Sequence, residues 1–351
     1  MKRILLLVAA LGLVGAALFG GYVWDAYWAH PNAQAKEQTL VIAEGSSAKQ
    51  ISRDLEKFGV IKSQWFFEYY ISSHRVDRLL QPGTYTLKAG MNFRSIVSAL
   101  TDAQSREISV TVPEGYSLRQ IGELLEQKGL LTQDDWFAVV GDPGVDYVTN
   151  QRARRPRDFT SEFPFLLDQP DNLVSLEGYL FPDTYRFFAN ASAEDIVRVM
   201  LKNFGQKFSE DMRQEMLRRG RSIHQIVTMA SIVEREVRTD QDRAKVADLF
   251  WRRLSAGMAL QADSTVHYVT DSSPDSVFTT SKQRNVASPW NTYRYPGLPP
   301  SPISNPGLEA LRAAVFPEAH DGWYFLTGSD GRVYYAKTND EQNMNRAAHL
   351  R

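Results

Sequence analysis

The chain has 351 residues, enough for two or three domains, and its 43% hydrophobic and 23% charged content is that of an ordinary globular protein. A formal net charge of -1 supplies no global basic field, so no nucleic-acid partner is expected. The absence of cysteine excludes a disulfide framework, a cysteine-ligated metal and a thiol nucleophile. The histidines (His30, His74, His224, His267, His320, His349) form no ligand-spaced cluster, so neither a metal nor a cofactor is expected.

Lys2 and Arg3 precede an apolar run from Ile4 to Trp24. At ~1.5 Å per residue this run can cross a hydrocarbon core of ~30 Å. The leading charges predict a single-pass anchor with a cytoplasmic N-terminus and everything after it exported. Trp24, Tyr27 and Trp28 then stand at the far interface. The alternative is a signal peptide cleaved after Ala33-Gln34-Ala35, a site that lies far beyond the run. The expected organisation is a cytoplasmic tip and transmembrane anchor over 1–25, a tether over 26–37, a small domain over 38–108 and a larger domain over 109–351.

Both domains open on an internal repeat. Leu40 to Tyr70 resembles Val110 to Val140: Glu44-Gly45 matches Glu114-Gly115, Ile51 matches Ile121, Leu55 matches Leu125, Gly59 matches Gly129, and Trp65-Phe66 matches Trp136-Phe137. Each copy predicts a short strand, a Glu-Gly turn, an amphipathic helix stopped by glycine, and a second helix opened by Ser63 or Thr132. Between the copies, Leu80 to Ala89 predicts a turn and a strand, and Met91 to Leu100 a helix with Asn92 as cap. Strand–helix–helix–strand in so few residues resembles a LysM module, a small α/β unit that binds N-acetylglucosamine chains; a plain spacer is the alternative.

Asp142 to Pro170 is polar and crowded with Arg152, Arg154, Arg155 and Arg157. It reads as a solvated loop, or as a contact for anionic stem peptides or lipid head groups. An aromatic stretch, Glu177 to Phe188, follows. Ser192 opens one helix to Arg219, with a kink expected at Gly205 and a stop at Gly220.

Ser222 to Arg238 predicts a helix with Ser222 as N-cap and Gln225 completing a capping box. At about 100° per residue, Ile223, Ile226, Val227, Ala230, Val233 and Val237 share one face. Glu234 projects into that face and Glu236 points away from it. A carboxylate in an apolar wall has its pKa raised and can serve as a general acid. A buried arginine partner, or a place at the rim, would make it structural instead.

Asp240 to Ala256 predicts a further amphipathic helix, with Val246, Leu249, Phe250 and Leu254 on one face. Asp263, in Leu260 to Thr270, is either a helix cap or the second carboxylate that glycoside hydrolases use. Ala287 to Gly307 holds six prolines among Trp, Tyr, Asn and Thr. It predicts a stiff loop whose rings and polar groups suit a glycan, or a structural crossover. Trp323 to Leu326 and Val333 to Ala336 predict a hairpin across Ser329-Asp330-Gly331, and a helix follows from Asn339.

Four blocks occur together and in order: LEGYLFPDTY (Leu176 to Tyr185), ASIVEREV (Ala230 to Val237), LQADSTVHY (Leu260 to Tyr268) and NTYRYPGLPPSPISNPG (Asn291 to Gly307). They resemble the signature blocks of the YceG-like (MltG) family of endolytic murein transglycosylases, over essentially the whole chain. The C-terminal block departs from the family's aromatic-Ser-x-Thr and Glu-His-Asn pattern, reading Tyr335-Ala336-Lys337-Thr338 and Glu341-Gln342-Asn343. No histidine role carries over there.

The resemblance implies an α+β fold with a single N-terminal transmembrane helix, a small LysM-like α/β module and a larger α+β catalytic domain. It implies a lyase that cuts the β-1,4 bond between N-acetylmuramic acid and N-acetylglucosamine within peptidoglycan glycan strands, leaving 1,6-anhydro ends. Glu234 is then the catalytic acid. It protonates the glycosidic oxygen and afterwards takes the proton of the muramoyl C6 hydroxyl, which is the intramolecular nucleophile. Gln261, Asp263, Ser288, Asn291, Tyr293 and Asn305 are the expected sugar contacts, with Tyr179 and Tyr185 positioning or packing. The implied place is the periplasmic face of the cell inner membrane, held by residues 4–24, beside peptidoglycan synthases. A peptidoglycan-binding scaffold and a muramidase pairing Glu234 with Asp263 are the alternatives.

Overall fold

The computed structural model describes residues 20–21, 37–43, 45–101, 107–168, 175–270 and 279–350. The expected anchor (apart from Gly20 and Gly21), the interfacial aromatics, most of the tether and Glu44 lie outside the described residues. Among the described residues, no helix is long and apolar enough to cross a membrane.

The fold is mixed α+β, in two compact units. The first comprises the described residues up to Val110 together with Arg186–Ala191. It contains β1 (Glu37–Ile42), α1 (Ala48–Lys57), α2 (Gln64–Ser73), β2 (Gly83–Lys88), α3 (Phe93–Thr101) and most of β3 (Glu107–Thr111). The sheet order is β1-β2-β3-β4, with β4 at Thr184–Phe188. β1 and β2 pair antiparallel with Leu40 opposite Tyr85. Strand alternation turns Leu40, Ile42, Tyr85 and Leu87 inward, onto Ile51, Leu55, Phe67, Ile71 and Ile96 of the helices. The order strand–helix–helix–strand is therefore the one expected. α3 starts where Asn92 caps it: the Asn92 side chain accepts from the Ser95 N–H at 2.8 Å.

The second unit comprises Thr111–Tyr185 and Ser192–Arg351. Its α4 (Leu118–Gln127) and α5 (Gln133–Val140) repeat the signals of α1 and α2. Ser47 with Gln50, and Ser117 with Gln120, each form a reciprocal capping box. Gly59 and Gly129 end the two helices with φ of 70° and 68°, a backbone region that favours glycine. The copies differ in packing. Trp136 is fully buried and donates its indole N–H to the Leu118 carbonyl at 2.9 Å, whereas Trp65 is 66% exposed.

After α5 come α6 (Ala193–Lys207) and α7 (Glu210–Arg218), where one kinked helix is expected. The break falls at Phe208, not at Gly205. Phe208 leaves helical geometry (ψ 84°) and buries its ring in a stack with Phe204, at 5.9 Å. Packing of an aromatic side chain, not glycine flexibility, sets the joint.

The next helix is α8 (Ile223–Glu236), followed by α9 (Asp240–Ser255), α10 (Asp263–Thr270), the short α11 (Ser281–Arg284) and α12 (Leu308–Val315). The hairpin β5 (Tyr324–Thr327) and β6 (Val333–Ala336), then α13 (Asn339–His349), close the chain. The predicted capping box of Ser222 and Gln225 opens α8. Its predicted apolar face is buried, but so are Thr228, Met229, Ser231 and Ile232 on its other sides. α9 and α12 pack against it. The proline-rich segment closes another side: Ile303 donates its N–H to Ser231 Oγ at 3.0 Å, and Ser304 Oγ donates to the Ser231 carbonyl at 3.1 Å. α8 is thus the enclosed central helix of the unit, and a carboxyl near its C-terminal end is held by several elements at once.

Candidate active site

Glu234 stands in the last turn of α8, its side chain only 6% exposed. It is not an unpaired carboxyl in an apolar wall. Arg243, one helix on, donates from Nη2 to Glu234 Oε1 at 2.7 Å and from Nη1 to Asp240 at 2.8 Å. Gly307, at the N-cap of α12, donates its backbone N–H to Glu234 Oε2 at 3.0 Å. A guanidinium and a helix N-terminus both favour negative charge at this point.

A second carboxyl stands beside the first. Glu114 belongs to the Glu-Gly turn of the second repeat copy, and its carboxyl lies on Gly307: a Cβ there would fall 2.0 Å from Glu114 Oε1. Its pKa is raised, first by partial burial and next by the charge of Glu234, while Arg243 opposes the rise. In the sequence Glu114 stands only in a turn, and its recurrence as Glu44 in the first copy is the one signal that marks it.

Two further acids stand near Glu234, Glu177 outside α8 and Glu236 at its last position. Glu177 is fully buried. It accepts from the Leu118 N–H (2.9 Å), from Asn305 Nδ2 (3.1 Å) and from the Tyr268 hydroxyl (3.2 Å), and burial pushes its pKa up to about 8. Glu236 points away from Glu234, as expected, and is half-buried. It accepts from Ser264 Oγ at 2.7 Å, and burial raises its pKa, with the Asp263 charge adding to the rise. Among the described residues, no group of acids and histidines is arranged to hold a metal ion.

These contacts join the four sequence blocks. Gly307 and Asn305 of the proline-rich block bond Glu234 and Glu177; Tyr268 bonds Glu177; Tyr293 donates its hydroxyl to Asp263 at 2.8 Å. Residues 40–348 match the YceG-like family. The chain belongs to that family. It is 35% identical over 305 residues to an endolytic murein transglycosylase of Bacillus subtilis, covering 86% of this chain and 82% of the relative. It is 28% identical over 361 residues to an endolytic murein transglycosylase of Streptococcus pneumoniae, covering 97% of this chain and 64% of that longer relative. The crystal structure of a YceG-like protein from Listeria monocytogenes superposes with a TM-score of 0.61 at 33% identity, over 88% of this chain and 98% of the other.

Within this YceG-like chain, the expected sugar-contact residues divide into two groups. Gln261 is exposed and adopts a φ of 54°, outside the usual range for a side-chain-bearing residue. Ser288, Tyr293 and Asp263 are half-buried. Asp263 starts α10, and its Oδ1 accepts from both Thr279 and Tyr293. The second group is buried. Asn291 gives both side-chain donors to the Arg284 and Val286 carbonyls, at 2.9 and 2.8 Å. Asn305 accepts from the Gly178 and Leu180 N–H groups and donates to Tyr116 and Glu177. Tyr179 bonds His224, and Tyr185 donates to the Phe181 carbonyl and accepts from Asn203. All four satisfy buried polar groups of the protein itself. Three arginines of the cluster have partners within the protein: Arg154 pairs with Asp142 and Asp134, Arg157 with Glu194, and Arg155 donates to the Tyr147 carbonyl.

Proposed function

We propose that this chain is an endolytic peptidoglycan lytic transglycosylase. It cuts the bond between N-acetylmuramic acid and N-acetylglucosamine inside glycan strands and leaves 1,6-anhydro-muramoyl ends. The observation that carries this reading is the hydrogen-bond network that joins the four family blocks around α8, in which Gly307 bonds Glu234, Asn305 and Tyr268 bond Glu177, and Tyr293 bonds Asp263. Glu234 protonates the leaving oxygen and then accepts the proton of the C6 hydroxyl, which closes the anhydro ring. An intramolecular nucleophile needs no positioned water and reacts at high effective concentration. Gln261, Ser288 and Tyr293, which keep exposed surface, line the sugar path. Residues 4–24 anchor the chain in the inner membrane, the described units stand in the periplasm, and the LysM-like unit holds glycan near its synthases.

Mass spectrometry of isolated peptidoglycan digested by the full chain in detergent is the deciding experiment. Internal cleavage with ends one water lighter than reducing ends is expected. Reducing ends would instead make the protein a muramidase pairing Glu234 with Asp263, and binding without cleavage would make it a scaffold.

A further inference from the structure

The Glu-Gly turn of the second repeat copy is built into the site. Gly115, at φ 75°, donates its N–H to the Asn305 carbonyl at 2.8 Å, and a Cβ on it would lie 3.4 Å from Glu234 Cγ. One residue earlier, the Glu114 carboxyl covers Gly307 so closely that a Cβ there would fall 2.1 Å from Glu114 Cδ. The backbone of Gly307, φ -75° and ψ 175°, is open to any L-residue. The carboxyl is therefore what leaves no room for a side chain. The same glycine donates its N–H to Glu234 Oε2. Two carboxyl groups thus flank one glycine.

Resting on the transglycosylase reading, we propose that Glu114 is the second carboxyl of the site, a positioning residue that acts through Glu234 by holding the proton the pair shares. Both described partners of Glu234, the Arg243 guanidinium and the Gly307 N–H, are pure donors, so an O–H on Glu234 finds no acceptor in them. Glu114 stands on an exposed turn, where Arg243 faces it as a charge. The charged groups that face it are Glu234 from α8, Arg243 and Asp240 from α9, and Glu309 from α12; partial burial raises its pKa most, the three acids add to the rise and the arginine opposes it. Neighbouring carboxyls resist joint ionisation and titrate as a pair.

In the proposed cycle the shared proton starts on Glu114. In the reaction it passes to Glu234 and then to the glycosidic oxygen as the C1–O bond breaks. Glu234 next takes the C6 hydroxyl proton as the new C6–O–C1 bond closes, and that proton restores the pair. The cycle consumes no net proton and no electron.

The test is the rate of anhydro-end formation against pH, for the full chain in detergent and for Glu114→Gln and Glu114→Asp. Glu114→Gln is expected to lower the rate at pH 7 at least tenfold and to move the alkaline limb to lower pH. Glu114→Asp is expected to keep the wild-type limb at a reduced rate. A Glu114→Gln protein with the wild-type rate and profile overturns the inference and leaves the transglycosylase reading standing; a wild-type protein that forms no anhydro ends overturns both. Difference infrared spectroscopy decides the matter if Glu114→Gln does not fold. Glu177 and Glu236 contribute protonated-carboxyl bands to both proteins; above that common background one carboxyl is expected to titrate at lower pH in Glu234→Gln than in the wild type, and identical titrations overturn the inference.

Discussion

Gly307→Ala isolates the contact on which the paired-carboxyl reading depends. The backbone at this position suits alanine, so the substitution brings no torsional strain. The new methyl would lie 2.0 Å from Glu114 Oε1 and 2.7 Å from Oε2, well inside a van der Waals contact of ~3.5 Å. Overpacking of this kind costs about 1–3 kcal/mol, and a carboxyl end that can rotate away brings the value to about 1 kcal/mol. Two other effects accompany it. Alanine is a poorer N-cap than glycine by roughly 0.5–1 kcal/mol, and it stiffens the unfolded chain by a similar amount in the opposite sense. Neither involves Glu114. A double-mutant cycle of Gly307→Ala with Glu114→Ala, read from urea midpoints of the four proteins, therefore cancels both. The expected coupling is about 1 kcal/mol, with Gly307→Ala the milder change once Glu114 is truncated. A coupling within about 0.3 kcal/mol of zero would refute the assignment of this contact. Because alanine keeps the N–H that bonds Glu234, a loss of cleavage in Gly307→Ala reports the displaced Glu114 carboxyl.

Glu234→Gln keeps an acceptor for Gly307 and is expected to lower cleavage by about 100-fold or more, while the circular dichroism spectrum stays unchanged. Asp263→Asn, which keeps an acceptor for Tyr293 and Thr279, is expected to cost far less; equal losses would restore the two-carboxylate hydrolase. Glu177 sets a stability slope. Its folded pKa of about 8 lies above the ordinary 4.5, so its contribution is full below about 4.5 and is lost as pH rises through about 8. Glu177→Gln should remove that slope, on the order of 3 kcal/mol across the window, in urea midpoints taken at pH 5, 6.5 and 8; parallel wild-type and variant curves would refute it. At the matching repeat positions, Trp136→Ala should destabilise by about 3–5 kcal/mol and Trp65→Ala by no more than about 0.5 kcal/mol in thermal melts, since only Trp136 is buried.

Local signals were the legible part of this molecule. The capping box at Ser222, the glycine stops and the short strands all act within a few residues, and the helices and strands follow them. Periodicity likewise singled out Glu234. Its partners were not legible, because each comes from a different element: Arg243 from the next helix, Gly307 from the N-terminus of α12, Glu114 from the second repeat copy. Asn291 and Asn305 show a second limit. Polar side chains in a proline-rich loop suggest a ligand, but an irregular segment packed against the central helix carries buried backbone groups that no helix or sheet ladder satisfies. Side-chain amides fill that need, and composition alone does not separate the two uses. Phe208 shows a third, since the joint between α6 and α7 comes from where a ring is buried.

Gly307 explains how a carboxylate comes to be placed so firmly in this interior. Glycine at an N-cap has no side-chain oxygen, and α12 has no side-chain cap bond. Glu234 accepts from the N–H of the N-cap residue itself, so a residue of α8 satisfies one of the free donors at the N-terminus of α12. The helix dipole adds roughly 0.3–1 kcal/mol in favour of charge there. Arg243 fixes the other oxygen, and its second nitrogen bonds Asp240, which starts α9. The carboxylate is thus the junction of three helices, and an error in the packing of any one of them displaces it. The small residue that lets α12 approach Glu234 is also the one that leaves space for Glu114. A single glycine therefore sets both the position of the first carboxyl and the nearness of the second.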